Sequence, residues 1–489
     1  MLPLTTPPLA RSRVFGAAAA AGLLLTVFSA GYGYERDELY FRMLHPAWGY
    51  VDQPPLAPLV ARGFAAVLGD ATWAIRIPAT LAMMTAVVVV ALVTREFGGG
   101  CAAQTLAAWG YAFAAFPLTL GHTLLTATLD LPIWPAFVLF VMRVITRGEP
   151  RWWLAAGAVA GVSLYNKLLI AVLLAALGVG LAVVGPRRLV LSRWAGAGTA
   201  LGLVVGLPNL IYQAANGWPQ LDMGRALADN NAGSVHIVMW PFLLIMLGPP
   251  LVPVWIAGLV ALWRDRRLRF VAVAFPVLLV LVYVMGAQFY YPFGLLAVLF
   301  AAGCVPTWSW VSTGTRRRRL LTAGVVVNAL VSCVVALPLI PVADLRDTPV
   351  AAMSQVVQDS VGWPRYVAEI AAVYHSLPRA EQAHTVVYAS NYGEAGAVDR
   401  YGAADGLPTV YSGQNQLTYV GRPPDGTTTI VFVGGQYPDA AAWFDSCAVR
   451  SRLDNGVGVD NEEQGEPVAI CRGPKAPWPQ LWPRMHHLD

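Results

Sequence analysis

Lysine is almost missing from this chain, with Lys167 and Lys475 standing against 31 arginines. The scarcity excludes a lysine-rich nucleic-acid surface, and it makes a lysine inside an apolar stretch a singular feature. Charge of either sign is thin: Asp, Glu, Lys and Arg make up 12% of residues while 56% are hydrophobic, and mean hydropathy is +0.54. That balance excludes ordinary soluble domains and describes a polytopic membrane protein. No glycine-rich phosphate loop follows a strand, no Cys/His pair has metal-ligand spacing, and there is no internal repeat or low-complexity segment. Cysteines are few as well. Of five, Cys101, Cys304 and Cys333 lie in apolar runs and read as packing residues. Cys447 and Cys471 fall in the polar C-terminal part, where an oxidising compartment permits a disulfide.

What the chain does have is apolar runs, eleven of them, at 14–30, 73–93, 102–120, 131–145, 152–164, 168–184, 194–211, 237–263, 270–285, 292–308 and 320–339. Several are short of the ~20 residues that cross a bilayer, and the two flanking Lys167 read either as two spans or as one bent helix. The first run also has a signal-peptide reading, since Ser29-Ala30-Gly31 ends it with small residues. Arginine sets the orientation, because basic residues of short loops stay in the cytoplasm. Alternate loops hold Arg11, Arg13, Arg95, Arg143, Arg147, Arg151, Arg187, Arg188, Arg193, Arg264, Arg266, Arg267, Arg269 and Arg316 to Arg319, seventeen in all. The opposite side, up to Pro341, holds six: Arg36, Arg42, Arg62, Arg76, Lys167 and Arg225. The expectation is a multi-pass protein of the cell membrane with a cytoplasmic N-terminus and an extracytoplasmic C-terminus, and the net charge of +5 reports topology and anionic lipid rather than nucleic acid. From residue 343 the composition changes to 17 acidic and 10 basic residues in 147 positions, with strand-like HTVVYAS and TTTIVFVGG. The domains expected are therefore 1–342, membrane-spanning with a first outer loop at 32–72, and 343–489, a small extracytoplasmic α/β domain.

Ionisable groups at membrane depth are costly and mark function. Here they gather on one side. The first outer loop carries Glu35, Asp37, Glu38, Asp52 and Asp70, and WGYVDQPPLAPLVARG follows the ERDE cluster within it. Pro54 and Pro55 stiffen the chain after Asp52 and Gln53. On a helix Asp37 and Glu38 point about 100° apart, so one would react and its neighbour would support it or bind a metal. Glu35 and Arg36 read as a solvated pair. Asp130 in TATLDLP is either a helix-terminal cap or a functional carboxylate. Lys167, after Asn166, and Arg76 each read as a contact to a lipid phosphate or as a snorkelling side chain. His122 reads as a hydrogen-bonded core histidine, Tyr290 and Tyr291 as interfacial anchors, and 213–230 as an amphipathic loop able to cover a site from above.

ERDELYF followed by WGYVDQPPLAPL resembles the GT-C membrane glycosyltransferases. It is most similar to the glycosyltransferase 39 group of protein O-mannosyltransferases and lipid A aminoarabinose transferases. Asp37 and Glu38, then Asp52 with Pro54, Pro55 and Leu56, match that group's pattern in order. TLDLP, LYNK, NGWPQL, NYGEAGAVDRYG and LPTVYSGQN extend the likeness over nearly the whole chain, the last two resembling an actinobacterial-type branch. One position departs: aminoarabinose users have lysine where Gln53 stands. The resemblance implies a GT-C fold, mainly α with about eleven transmembrane helices. It implies transfer of a hexose or pentose from a polyprenyl-phosphate donor to an envelope glycan, lipid or protein acceptor on the outer face, with inversion. Asp37 would be the base with Glu38 beside it. Asp52, Gln53, Arg76, Asp130, Lys167 and Tyr291 would bind substrate, and a divalent cation among Asp37, Glu38 and Asp52 is left open. The competing class is a transporter or lipid-linked sugar flippase, for which inverted repeats and broken midplane helices would be the sign.

Overall fold

Each apolar run is helical over most of its length in the computed structural model, which describes residues 6–187 and 191–489. Arg188, counted above among the inner arginines, lies outside the described residues. Among the described residues, six helices are long and apolar enough to cross a membrane: Arg11–Phe28, Thr72–Glu96, Thr126–Arg147, Arg193–Ala215, Phe293–Ser312 and Thr315–Ala336. A seventh arises if Gly233–Ile245 and Pro249–Arg264, bent by 74° against one another, form one broken span. Pro249, Pro250 and the positive φ of Gly248 (96°) account for that bend. The run at 102–120 also breaks, into Cys101–Ala112 and Ala115–His122. The Pro117 ring would clash with the carbonyl four residues back, at Phe113, which is where the first of these helices ends. Eleven full-length crossings are thus more than the helix lengths give. Trp152–Leu164, with 13 residues, and Arg269–Val284, with 16, are apolar but short. At ~1.5 Å per residue such helices reach roughly 20 to 24 Å. The segments on either side of Lys167 are two helices, Trp152–Leu164 and Ile170–Val184.

The chain divides into two compact units. The first comprises the chain up to Ser29, Gln53–Ala57 and Arg76–Leu337. Its helices touch through glycine: a Cβ on Gly157 would collide with the Gly198 carbonyl oxygen, and one on Gly258 with that of Leu299. Small residues that let backbones approach are how helices associate where lipid removes the hydrophobic drive.

The second unit comprises Ala30–Asp52, Pro58–Ile75 and Pro338–Asp489. Much of segment 32–72, grouped with the spans in the sequence reading, therefore packs with the C-terminal α/β part. Its five-stranded sheet contains β1 (Thr385–Ala389), β2 (Val410–Tyr411), β3 (Thr429–Val433), β4 (Phe444–Arg452) and β5 (Pro467–Pro474), in the order β2-β1-β3-β5-β4. β1 runs parallel to β2 and β3, while β5 is antiparallel to β3 and β4. β1 and β3 are buried along their whole length, as strands covered on both faces must be. Val386, Tyr388, Ile430 and Phe432 share one apolar cluster with Trp443 and Trp482. Cys447 and Cys471, opposite one another on β4 and β5, form a disulfide.

Candidate active site

The ERDE cluster opens the helix Arg36–Met43, and two of its acids build that helix. Glu35 is the N-cap, with φ −81° and ψ 155°, and its carboxylate accepts the Asp37 N–H at 2.7 Å. Glu38 reaches back to accept the Glu35 N–H at 3.0 Å, completing a capping box. Glu38 is 0% exposed, so the residue expected beside the base instead closes a helix end. Asp37 points the other way. Between Tyr34 and Phe41 it alone is not buried.

A second helix, Tyr392–Tyr401 of the NYGEAGAVDRYG segment, lies on this one. Glycine permits the approach: a Cβ on Gly396 would stand 2.7 Å from the Leu39 Cβ, and one on Gly393 would stand 3.2 Å from the Arg36 Cβ. The Tyr392 hydroxyl donates to Asp37 Oδ1 at 3.0 Å. The LPTVYSGQN segment and the glutamine after it hold the other side. Gln414 accepts the Tyr392 N–H at 2.6 Å, Gln416 accepts the Val51 N–H at 3.0 Å, and the Gln416 N–H donates to the Tyr40 hydroxyl at 3.2 Å. The Tyr40 and Tyr392 rings are 4.8 Å apart. Two tail motifs thus clasp the first loop.

Arg36 and Glu35 are not the solvated pair the sequence suggested, being 7% and 4% exposed. The Arg36 guanidinium pairs with Glu462, lies 3.5 Å from Glu463, and sits 5.0 Å over the Tyr392 ring. The solvated reading failed because the partners lie more than four hundred positions along the chain.

Burial sets the protonation of this unit. It pushes the Asp52 carboxyl up to about 7 although a Tyr40 hydrogen bond opposes it. It lifts Asp359 to about 7 against the pull of Arg36, and Glu394 to about 8 with help from the Glu463 charge. Glu35 is raised by burial and then by Asp37, Asp359 and Glu38. In the unfolded chain such groups titrate near ~4, so between about pH 4 and 8 the folded unit binds more protons. Their stabilising effect is complete below that window and is lost as pH rises through it. Glu381 is held low by its Arg472 hydrogen bond and does not share this upward shift. The thermal midpoint of purified protein should therefore fall from about pH 5.5 to 8.5, and less steeply in Glu394→Gln. A midpoint that is level or rises would contradict these assignments.

The three carboxylates left open as cation ligands each have a partner of their own. Glu38 caps the helix, Asp37 accepts from Tyr392, and Asp52 is bonded to Tyr40. Among the described residues no group of three His, Cys, Asp or Glu side chains is placed to hold a metal ion.

In the helical unit other expected residues come together. A small pocket is lined by Asp130, Trp134, Leu169, Tyr290 and Tyr291, among others. The Lys167 ammonium lies 5.0 Å from the Tyr291 ring centre and 5.6 Å from that of Tyr290. Asn166 donates to Asp130 Oδ1 and to the Thr126 carbonyl, each at 2.9 Å. Gln53 is buried. Two residues past the Pro-Pro pair's start, the Leu56 N–H donates to the Tyr165 carbonyl at 2.8 Å, tying that stretch to the turn before Lys167. Arg76, 1% exposed, donates to the Ser29 carbonyl at 2.9 Å, while His122 bonds the Phe28 carbonyl at 3.0 Å. Both bond carbonyls at the C-terminal end of the first helix, a position that favours the positive charge of Arg76. The residues not singled out for a site from sequence are Trp134 and Tyr290 in this pocket, and Tyr392, Asp359 and the Gln414/Gln416 pair in the α/β unit. A tyrosine pair could have drawn attention to Tyr290; nothing local marks the others.

Comparison with known proteins bears on the fold. Residues 52–212 match the family model of dolichyl-phosphate-mannose-protein mannosyltransferase. The crystal structure of ArnT from Cupriavidus metallidurans bound to undecaprenyl phosphate is similar at 15% identity over 93% of this chain and 97% of that one, with a TM-score of 0.57. The apo structure of the same protein is similar at 15% identity over 95% and 98%, with a TM-score of 0.58. No match is found among curated protein sequences.

Proposed function

We propose that this chain, a multi-pass membrane protein of the GT-C glycosyltransferase group, moves a hexose or pentose from a polyprenyl-phosphate donor to a hydroxyl of an envelope acceptor. The acceptor class is a glycan, lipid or protein on the outer membrane face, and the anomeric carbon inverts. The observation that carries the reading is Asp37: an accessible carboxylate on a helix whose other side chains nearby are buried, oriented by a tyrosine hydroxyl. Such a group suits the proton transfer that activates an acceptor hydroxyl. The leaving phosphate needs positive charge that is in place before the bond breaks. Lys167 is the candidate, a compact ammonium in a region where lysine is otherwise missing, held against two aromatic rings. Near it, the aromatic rings of Trp134, Tyr290 and Tyr291 and the Asp130 carboxylate, bonded to Asn166, offer a sugar a flat face and hydrogen-bond partners. The arginine distribution supports a cytoplasmic N-terminus and an extracytoplasmic α/β unit.

The test is transfer of labelled sugar from polyprenyl-phosphate-linked donors in membranes bearing the protein. It is paired with mass spectrometry of envelope lipids, polysaccharides and secreted proteins after gene deletion. A missing hexose or pentose in one class names donor sugar and acceptor together; unchanged glycans and no turnover with any donor would sink the proposal. Lys167→Ala should raise the donor KM about tenfold, the equivalent of ~1.4 kcal/mol, with a smaller change in kcat. An unchanged donor KM would leave Lys167 as a snorkelling residue.

A further inference from the structure

We infer that Tyr392 is a positioning residue for Asp37, and hence that the C-terminal α/β unit is part of the catalytic apparatus rather than an appended module. This rests on the transferase reading above. The phenol is aimed, and several independent contacts aim it. Its hydroxyl donates to Asp37 Oδ1 at 3.0 Å. Its ring is held on one side by Tyr40 at 4.8 Å and by the Arg36 guanidinium at 5.0 Å. Its backbone N–H is bonded to Gln414 at 2.6 Å. Asn391, one residue earlier, caps the helix through the Glu394 N–H at 2.8 Å, so Tyr392 occupies the first helical position with little freedom to swing. Gly393 and Gly396 then bring that helix within backbone reach of Arg36 and Leu39.

The surroundings of Asp37 show why such a donor is needed. Glu35 couples to it from its own element, and Asp52, Asp359 and Tyr392 from others. Three of these four are acids, and each opposes the ionised form that a base requires to the extent that it is itself ionised. A hydrogen bond given to the carboxylate favours that form and fixes its plane. Removing the hydroxyl should both disorder the base and make it harder to ionise. A gap in orientation of this kind is felt in the chemical step and scarcely in ground-state binding.

Tyr392→Phe keeps the ring and deletes the donor. In the full-length protein it should lower kcat about tenfold or more, leave the KM for donor and acceptor within about twofold, and move the acid limb of the pH–rate profile upward by about half a unit. A purely structural role would not move that limb. If Tyr392→Phe does not fold, Gln414→Ala, which releases the Tyr392 backbone but keeps the phenol, should give the same displacement in smaller size. Asp37→Asn is run alongside. Wild-type turnover in Asp37→Asn would remove the base assignment and this inference with it. An inactive Asp37→Asn beside a Tyr392→Phe of wild-type kcat and unchanged acid limb would overturn the role of Tyr392 alone.

Discussion

Replacing Asp37 with asparagine is expected to reduce sugar transfer by a factor of roughly 10² to 10⁴ while protein level and membrane insertion persist. That range is what a positioned general base contributes. Asparagine keeps the shape and still accepts from the Tyr392 hydroxyl at the position of Oδ1, so the helix and its capping box should survive. What disappears is basicity. The side chain is already partly open to solvent, so exchanging it leaves no buried charge without a partner, and the variant should unfold within a few degrees of wild type. Donor KM should change little, because the lost interaction forms as the acceptor proton leaves. Turnover near the wild-type rate would show that another group takes the proton.

Arg36→Met should have the largest effect on stability. The guanidinium is buried, and it stands against Glu462, Glu463 and Asp359. Methionine fills similar volume but leaves Glu463, itself fully buried, facing other acids. Removing one partner of a buried ion pair costs about 3 to 5 kcal/mol, much of it the penalty of the charge left behind. Thermal unfolding and limited proteolysis should report that loss at neutral pH, with partial recovery in mild acid as the stranded carboxyls protonate. A midpoint within about 2 °C of wild type would show that the cluster does not depend on its arginine. Arg36→Lys should recover little, since an ammonium cannot span two carboxylates and also lie flat on the Tyr392 ring.

The helices and the sheet were legible because they follow from composition and period. Apolar runs announce helices whatever surrounds them, and HTVVYAS and TTTIVFVGG became β1 and β3. Span count was less legible, since a 13-residue helix and a 20-residue one look alike in hydropathy and differ in reach. Asp37 could be singled out by its motif, and its separation from Glu38 by helical geometry. The burial of the Arg36 guanidinium could not, because its partner Glu462 arrives 426 positions later. The same holds for the partners of the other acids: a helix cap engages Glu38 and a tyrosine hydroxyl engages Asp37. Lys167, Asp130 and Tyr291 were found separately by residue type; that Asp130 and Tyr291 line one pocket, with the Lys167 ammonium 5.0 Å from the Tyr291 ring centre, was not visible in any of their neighbourhoods.

The short helices flanking Lys167 impose a shape on the lipid around them. Trp152–Leu164 and Ile170–Val184 have 13 and 15 residues, roughly 20 to 22 Å of rise, against a hydrocarbon layer of about 30 Å. A bilayer meets such a mismatch by thinning locally. Under the proposed function, water and headgroups would then dip toward the turn that carries Lys167, and a carrier lipid arriving there would keep its phosphate hydrated for longer before exchanging that shell for protein.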